Sequence, residues 1–258
     1  MTTRLLAVVT GASSGIGREF ALDYARRGYD LIVVARRERT LDELATEIQT
    51  NGVRCATVAA DLATMAGIES MLATIATGPV PDVVVLNAGV TLAAKVGTSS
   101  AQTINDVTLL LATGPIHVME RIAPSMVARG SGDIVVVSSI AARIPMPRSA
   151  IYAAAKAAVT SYARSVHREL RRSGVRVVAV NPGYVRTNLH RAAGLDHLEK
   201  VVPAWLWLEP RDVVESAHRA LAHGRDSVVP GLIYRLCRPF LASDGAQELW
   251  RRLVRRRR

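Results

Sequence analysis

Cysteine, lysine and long apolar segments are scarce in this sequence, and each shortage excludes some classes of function. The two cysteines, Cys55 and Cys237, have neither metal-ligand nor redox-motif spacing, so we expect no metal site, no disulfide framework and two inert thiols. No run without a charged residue exceeds 13 residues, and two such runs, 83–94 and 107–119, hold 12 and 13 residues, whereas a membrane-spanning helix needs roughly 20. The apolar stretch 5–9 runs into a glycine-rich turn, which predicts the first strand of a cytoplasmic protein and not a signal peptide.

Lysine is rare although the chain is strongly basic. Three lysines stand beside 30 arginines, and the formal net charge is +11, which reflects compositional bias as much as function. Six of the arginines fall within the last eight residues, in a basic tail at 243–258. We favour a solvated terminus as the interpretation of this tail, with contact to nucleic acid or acidic lipid as the alternative. No recognised nucleic-acid-binding motif accompanies the tail, so we expect no nucleic-acid partner.

Short β-branched runs alternate with longer amphipathic stretches along residues 1–242. This alternation is typical of βαβ units around a parallel sheet, and the near-continuous apolar strands indicate that helices cover both faces. The predicted strands are 5–9, 30–35, 53–59, 82–86, 133–138, 175–180 and 227–229, and the predicted helices lie near 15–27, 38–50, 64–77, 99–128, 149–173 and 210–223. With 49% hydrophobic residues, the sequence predicts a single-domain α/β fold, a doubly wound parallel sheet of about seven strands known as the Rossmann fold.

A glycine-rich turn, TGASSGIG, joins the first predicted strand to the first helix. Glycines let the backbone turn sharply and approach a pyrophosphate, while the start of the helix offers free N–H groups and the positive end of its dipole. The residues expected to bind a dinucleotide here are Gly11, Ser13, Ser14, Gly15, Ile16 and Gly17. A turn without a ligand is the alternative, and the strand–turn–helix context argues against it.

The second strand is followed by Arg36 and Arg37, with no carboxylate before Glu38. In Rossmann domains an acidic residue at this place binds the ribose 2′-hydroxyl of NAD, whereas an arginine accommodates the 2′-phosphate of NADP. The planar guanidinium matches phosphate geometry well. The sequence therefore favours NADP(H) as the cofactor, with two merely solvated arginines as the alternative.

Ser139 ends the fifth predicted strand, and Tyr152 and Lys156 follow on the next helix. Residues four apart share one helix face, so the phenol and the ammonium should project together. Reduction of a carbonyl needs a proton donor for the developing alkoxide, and a nearby ammonium lowers the pKa of a tyrosine toward a useful range. Ser139 is placed to hydrogen-bond the reacting oxygen. An incidental pair is the alternative, which the rarity of lysine disfavours.

Over nearly its whole length the chain resembles the short-chain dehydrogenase/reductase family. The matching pieces, in order, are TGASSGIG at 10–17, Asp61-Leu62, Asn87-Ala88-Gly89, Ser139, Tyr152 with Lys156, and Pro182-Gly183 with Thr187. The resemblance implies that Ser139, Tyr152 and Lys156 form the catalytic triad, with the tyrosine and lysine also touching the cofactor. It further implies that Asp61 and Leu62 lie against the adenine, that Asn87, Ala88 and Gly89 support the sheet and cofactor, and that Pro182, Gly183, Val185 and Thr187 flank the nicotinamide.

One position departs from the family pattern. Many members carry an asparagine on the fourth helix that helps to order a proton-relay water, and matching LLATGP and APSM to that pattern places Leu111 there. Asn105 lies six residues away and should face elsewhere on the helix. We expect activity to survive, because the proton donor and its lysine remain. The alternative is a catalytically weak NADP-binding protein with a regulatory or scaffold role.

The segment 183–209 is the predicted substrate lid, and it is rich in leucine, valine and tryptophan. An apolar lid suggests a hydrophobic, lipid-like carbonyl substrate, although these side chains could equally pack the lid onto the domain. The stretch from Pro203 onward resembles actinobacterial β-ketoacyl and mycolate-type lipid reductases. Residues 229–241 form a basic amphipathic element for which membrane contact is an alternative, and packing against the sheet or a second subunit is favoured. The family resemblance also implies a homodimer or homotetramer through the helices near 99–128 and 149–173.

Overall fold

The computed structural model describes residues 4–189 and 194–241, and it shows one seven-stranded sheet in which every strand pairing is parallel. The strands are β1 (Leu6–Thr10), β2 (Asp30–Ala35), β3 (Cys55–Ala59), β4 (Val83–Leu86), β5 (Gly132–Val137), β6 (Val175–Val180) and β7 (Ser227–Val228). Their order is β3-β2-β1-β4-β5-β6-β7. The chain therefore winds outward in both directions from β1 and β4, which confirms the predicted doubly wound fold. Ligands of such sheets bind beyond the carboxyl ends of the strands, where the winding reverses.

Helices follow the strands in close agreement with the predicted segments. They are α1 (Gly15–Arg26), α2 (Glu38–Gln49), α3 (Met65–Ala76), α4 (Ala101–Thr108), α5 (Gly114–Arg129), α6 (Ala150–Leu170), α7 (Leu198–Val201), α8 (Pro210–Ala222) and α9 (Leu232–Leu241). Among the described helices, none is long and apolar enough to cross a bilayer. The basic tail at 243–258 lies outside the described residues.

The alternation of side chains along β1 shows why the strands are apolar on both faces. Ala7 and Val9 point to a core that contains residues of α1, α2 and α8. Leu6 and Val8 point the other way, to a core that contains residues of α3, α5 and α6. Successive residues of a strand face opposite sides, and here each side is covered by helices. The two-sided burial fixes the register of β1 and hence the position of the turn that follows it.

The predicted continuous helix near 99–128 is divided by a π-helical turn, Leu109–Thr113, between α4 and α5. The backbone N–H of Gly114 donates to Leu109 O, five residues back. Pro115 has no N–H to continue the α-helical ladder at that point, and a Cβ at Gly114 would lie 2.6 Å from Leu109 O. The glycine and the proline together permit the wider turn, which sequence periodicity alone did not reveal.

A buried polar cluster fastens α6 to the sheet. Thr160 Oγ1 lies 2.7 Å from Ser138 Oγ and 3.2 Å from Asn181 Oδ1. Ser138 in turn donates to the backbone carbonyl of Lys156 over 3.0 Å. All three polar side chains are less than a tenth exposed. Because each buried group needs its partner, this cluster fixes both the rotation and the height of α6 against β5 and β6.

We expect Thr160→Val to lower the free energy of unfolding by about 1–3 kcal/mol, since it removes the hydroxyl that reaches the buried oxygens Ser138 Oγ and Asn181 Oδ1. Urea denaturation measures the loss. The matched control is Thr46→Val on the exposed side of α2, where the hydroxyl bonds Asp42 O over 2.9 Å, and a change within about 0.5 kcal/mol is expected there. Equal effects at both positions would show that the cluster does not stabilise α6.

Candidate active site

Thr10 and Asn87 join the carboxyl ends of β1 and β4. The hydroxyl of Thr10 accepts the backbone N–H groups of Asn87 and Ala88 over 2.9 and 3.1 Å, and it donates to Val85 O over 3.2 Å. The side-chain amide of Asn87 returns a hydrogen bond to Thr10 O over 3.0 Å and reaches Gly11 O at 3.3 Å. Thr10 was not among the predicted site residues, although it stands at the head of the recognised motif. These bonds hold the floor of the site rigid.

The glycine-rich turn leaves no room for side chains at its critical positions. Gly11 and Gly15 have φ values of +64° and +57°, a region that other residues rarely adopt. A Cβ at Gly17 would lie 2.3 Å from Gly11 O and 2.4 Å from Asn87 Nδ2. The side chain of Ser14, the N-cap of α1, makes no capping hydrogen bond. The helix start therefore keeps its N–H groups for a ligand, and the turn fits the pyrophosphate of a dinucleotide.

Four predicted cofactor residues follow β2 and β3. Arg36 and Arg37 follow β2 and are exposed, and Nη2 of Arg37 lies 3.3 Å from Ser13 Oγ on the glycine-rich turn. Asp61 follows β3, is exposed, and accepts the backbone N–H of Ala63 over 3.0 Å. β2 and β3 are neighbours, so the two arginines and the carboxylate share one edge of the sheet. Leu62 is buried beneath them.

The segment after β6 closes over the start of α1. A Cβ at Gly15 would lie 2.7 Å from Thr187 Cγ2, which places Thr187 directly above the turn. Val185 is buried and pairs with Leu208 in an isolated parallel bridge. The carbonyl of Pro182 accepts the backbone N–H of Ile140 over 2.8 Å, so the segments after β5 and β6 are joined.

Tyr234 on α9 is a second residue that the sequence did not single out. A Cβ at Gly183 would lie 2.1 Å from its ring, so only glycine permits this contact. The hydroxyl of Tyr234 accepts the backbone N–H of Tyr184 over 3.0 Å and donates to Leu206 O over 2.6 Å. One phenol therefore connects the beginning and the end of the predicted lid. The sequence offered little to predict this contact, since a tyrosine in an amphipathic helix can pack in many ways.

Ser139, Tyr152 and Lys156 are brought together by the end of β5 and the first turns of α6. Ser139 caps a short 3₁₀ turn, where its Oγ accepts the N–H of Ala141 over 3.2 Å. The pKa of Tyr152 is raised by burial, and a hydrogen bond with Ser139 partly opposes that rise. Lys156 stands one turn further along the same helix and is 6% exposed.

The ammonium of the lysine is held by the sheet. Lys156 Nζ donates to the backbone carbonyl of Val137 over 2.9 Å. Burial lowers the pKa of Lys156 from 10.5 to about 8. Desolvation therefore dominates both groups, because the neutral form is favoured wherever water is excluded.

An apolar cluster borders the tyrosine on its other side. Leu111 lies in the π-helical turn, is 1% exposed, and packs with Val107, Ala112 and Ala155 beside Tyr152. Val90 and Leu92, from the segment after β4, join the same cluster. A Cβ at Gly89 would lie 3.1 Å from Leu111 Cδ2 and 3.8 Å from Lys156 Nζ. The leucine thus sits where the relay asparagine was expected, within the wall of the site.

The predicted lid packs in part onto the domain. Val202 and Leu206 are buried in a cluster with Tyr234, and Ile140, Tyr184 and Trp207 are partly buried against it. Trp205, in contrast, is 60% exposed. Of the described lid residues, some therefore serve packing and others remain accessible beside the segment that follows Ser139.

Comparison with known proteins gives consistent matches. The short chain dehydrogenase family model matches residues 5–197. An uncharacterized oxidoreductase of Staphylococcus epidermidis is 31% identical over 198 residues, covering 76% of this chain and 84% of the relative. A very-long-chain 3-oxoacyl-CoA reductase of Mycosarcoma maydis is 32% identical over 200 residues, covering 74% of this chain and 56% of the relative. A solved short-chain dehydrogenase from Sphingobium yanoikuyae in complex with NADPH has a TM-score of 0.83 at 30% identity, covering 95% of this chain and 94% of its own.

We expect Lys156→Met to raise the free energy of unfolding at pH 7 by roughly 1–3 kcal/mol, because it removes a buried charge. The native pKa near 8 lies below the ordinary 10.5, so the unfolded chain binds more protons between these two values and the wild type gains stability as pH rises. The advantage of the variant should therefore shrink from pH 8 to pH 10. Urea denaturation at several pH values measures this.

The control for that prediction is Lys95→Met, which replaces an exposed lysine. It should change stability by less than about 0.5 kcal/mol with no trend in this pH range. A Lys156→Met difference that stays constant from pH 7 to pH 10 would mean that the lysine is not a desolvated charge.

Proposed function

Because the chain belongs to the short chain dehydrogenase family, we propose that it is an NADPH-dependent ketoreductase that reduces a hydrophobic carbonyl. The observation that carries this proposal is the partly buried phenol of Tyr152, hydrogen-bonded to Ser139 with Lys156 one helical turn away. The chain is an oxidoreductase by family. The direction, the cofactor preference and the substrate class are inferred from its own residues.

Bound NADPH supplies the hydride that adds to the carbonyl carbon. The Ser139 hydroxyl orients the carbonyl oxygen, and Tyr152 delivers its phenolic proton to that oxygen as the alkoxide forms. Burial raises the pKa of Tyr152, so the phenol holds its proton at neutral pH and is ready to donate it. The opposite direction needs a phenolate, which the same burial disfavours. The electrostatics therefore support reduction as the working direction.

The cofactor preference is supported by Arg36 and Arg37. Both are exposed at the end of β2, and Arg37 reaches the glycine-rich turn through Ser13. A guanidinium at this place suits a 2′-phosphate, whereas NAD recognition uses a carboxylate. The solved relative from Sphingobium yanoikuyae binds NADPH, which is consistent with this preference.

A hydrophobic substrate is supported by the surroundings of Tyr152. Val90, Leu92 and Leu111 pack in one apolar cluster with Tyr152, and Tyr184 and Trp207 of the segment 183–209 pack in another cluster with Ile140, which follows Ser139. Pockets with apolar walls and few polar groups select lipophilic ligands. The Mycosarcoma maydis relative is named for a long-chain 3-oxoacyl substrate, which favours an acyl chain over a sugar. We therefore keep 183–209 as the proposed lid of a single domain that spans 1–242.

Two finer proposals concern the subgroup of the family and the oligomeric state. The resemblance to actinobacterial lipid reductases is carried by the stretch after Pro203, whereas the relatives compared come from other branches. A homodimer or homotetramer through α4, α5 and α6 is proposed from the resemblance to the family.

Leu111 is the observation that favours the second candidate function, a weakly catalytic NADP-binding protein, because an alkyl side chain cannot order a relay water.

Tyr152→Phe should lower the rate of NADPH oxidation with a lipophilic ketone by about 10²–10⁴-fold, because the proton donor is lost. NADPH affinity should stay nearly unchanged, as measured by fluorescence titration. The matched control is Tyr162→Phe on the same helix, whose hydroxyl bonds Glu120 away from the site, and it should retain the parental rate. A Tyr152→Phe enzyme as fast as the wild type would refute the proton-donor role.

Replacing Arg36 and Arg37 together by Ala should weaken NADPH binding by about tenfold or more, since each charge-assisted hydrogen bond to phosphate contributes roughly 1.5–3 kcal/mol. NADH binding should change little. Arg39→Ala is the control, because Arg39 is exposed in the same segment and pairs with Glu43 over 3.2 Å. An equal loss of affinity for both cofactors would rule out recognition of the 2′-phosphate.

A further inference from the structure

We propose that α9 and Trp205 form a surface that docks on an anionic lipid bilayer next to the proposed lid. This inference goes beyond the proposed reaction, because it concerns where the enzyme sits and not what it catalyses. It rests on three features of the described chain: an exposed apolar face, the rigid attachment of that face to the domain, and the sign of the surrounding charge.

The outward face of α9 is apolar. Leu232 and Leu236 are 62% and 63% exposed, and Ile233 is 37% exposed. Positions 232, 233 and 236 lie on one side of a helix. Trp205, in the 3₁₀ turn Ala204–Leu206, is 60% exposed. Large apolar side chains grouped in this way mark an interaction site more often than isolated ones do.

The inward face of α9 fixes this patch to the lid. Tyr234 is 7% exposed and is held by Tyr184 N and Leu206 O. Because Leu206 directly follows Trp205, the same hydrogen bond places the tryptophan next to α9. Tryptophan and leucine are the residues that interfacial helices bury at the boundary of headgroups and acyl chains. The patch is therefore presented by a packed scaffold and needs no rearrangement to meet a flat surface.

The charge around the patch favours an anionic partner. Arg235 is exposed on α9 itself, between the apolar positions. The sequence after α9 holds six arginines against one aspartate and one glutamate, with Leu249, Trp250, Leu253 and Val254 among them. The whole chain carries a formal charge of +11. Each basic residue near an anionic membrane contributes about 1 kcal/mol of attraction.

A second copy of this chain suits the patch less well. A twofold interface brings the same surface of both copies together, so Arg235 would meet the like charge of Arg235 in the second copy. Such repulsion disfavours association, whereas an anionic bilayer meets both the apolar and the basic groups with complementary chemistry.

The position of the patch gives docking a consequence for substrate supply. Tyr234 and Leu206 belong to the cluster that includes Ile140 and Tyr184. Ile140 directly follows the catalytic Ser139, and Tyr184 begins the lid. A lipophilic carbonyl compound dissolved in the bilayer would reach the cluster around Ile140 and Tyr184 without passing through water.

The test is co-sedimentation of the full chain with vesicles of phosphatidylcholine alone and with vesicles containing about one third phosphatidylglycerol. We expect binding to the anionic vesicles that weakens with salt. L232Q/L236Q should lower the partition coefficient about tenfold without changing charge, and deletion of 251–258 should reduce the salt dependence. L5Q/I104Q is the matched control, since Leu5 and Ile104 are 48% and 40% exposed elsewhere, and its binding should equal that of the wild type.

Failure of the docking inference is distinguishable from failure of the proposed reaction, because binding is measured without substrate or cofactor. Equal binding of L232Q/L236Q and the wild type would show that α9 is not the docking face. Absence of binding to anionic vesicles, together with a dimer in sedimentation velocity that L232Q/L236Q dissociates, would assign the patch to a second copy. Vesicle binding by wild-type protein that is lost selectively in L232Q/L236Q supports the bilayer.

Discussion

The hydrogen bonds between Thr10 and Asn87 are the constraint from which the rest of the site follows. They join β1 to β4 at the point where the sheet reverses its winding direction. Once these strand ends are fixed, a Cβ at Gly17 has no space beside Asn87, and only glycine fits there. A glycine-rich turn followed by a helix whose first N–H groups lack a side-chain cap suits a phosphate group. Thr187 then closes over the same turn from the far side of the sheet.

The catalytic end of the site is governed by exclusion of water more than by pairing of charges. Tyr152 and Lys156 share a helix face, yet burial raises the pKa of one and lowers that of the other to about 8. The lysine still carries its charge over most of the neutral range, and it is held by the carbonyl of Val137. The polar cluster around Thr160 keeps α6 in place despite the unfavourable burial of an ammonium. Burial of the Lys156 ammonium thus lowers the stability of the fold, and the hydrogen bonds of Thr160, one helical turn later, offset this loss.

The sequence allowed the sheet and much of the site to be predicted, because those features are local or periodic. The bounds of β2 and β6 agree with prediction to the residue, since each is an apolar run ended by a polar residue or a turn. Gly28, Gly52, Gly174 and Gly224 follow the ends of four predicted helices and adopt the left-handed conformation, which glycine favours at such ends. The π-helical turn, the contact of Tyr234 with Gly183 and the carbonyl partner of Lys156 were not predicted. Each of these features depends on residues distant in sequence or on a single hydrogen bond. Such contacts produce no periodic pattern of apolar residues from which they could be predicted.

The surroundings of Leu111 give this residue a role that its position in the sequence did not indicate. As a sequence feature it removed a polar group from an expected relay, which argued for weak catalysis. In the structure it is 1% exposed beside Tyr152 and close to Gly89, where an alkyl group excludes water from both catalytic residues. Lower local polarity favours the neutral phenol, and a neutral phenol is the form that protonates an alkoxide. A leucine that cannot order a relay water therefore still helps to keep the phenol protonated, and it is compatible with an enzyme that works in the reductive direction.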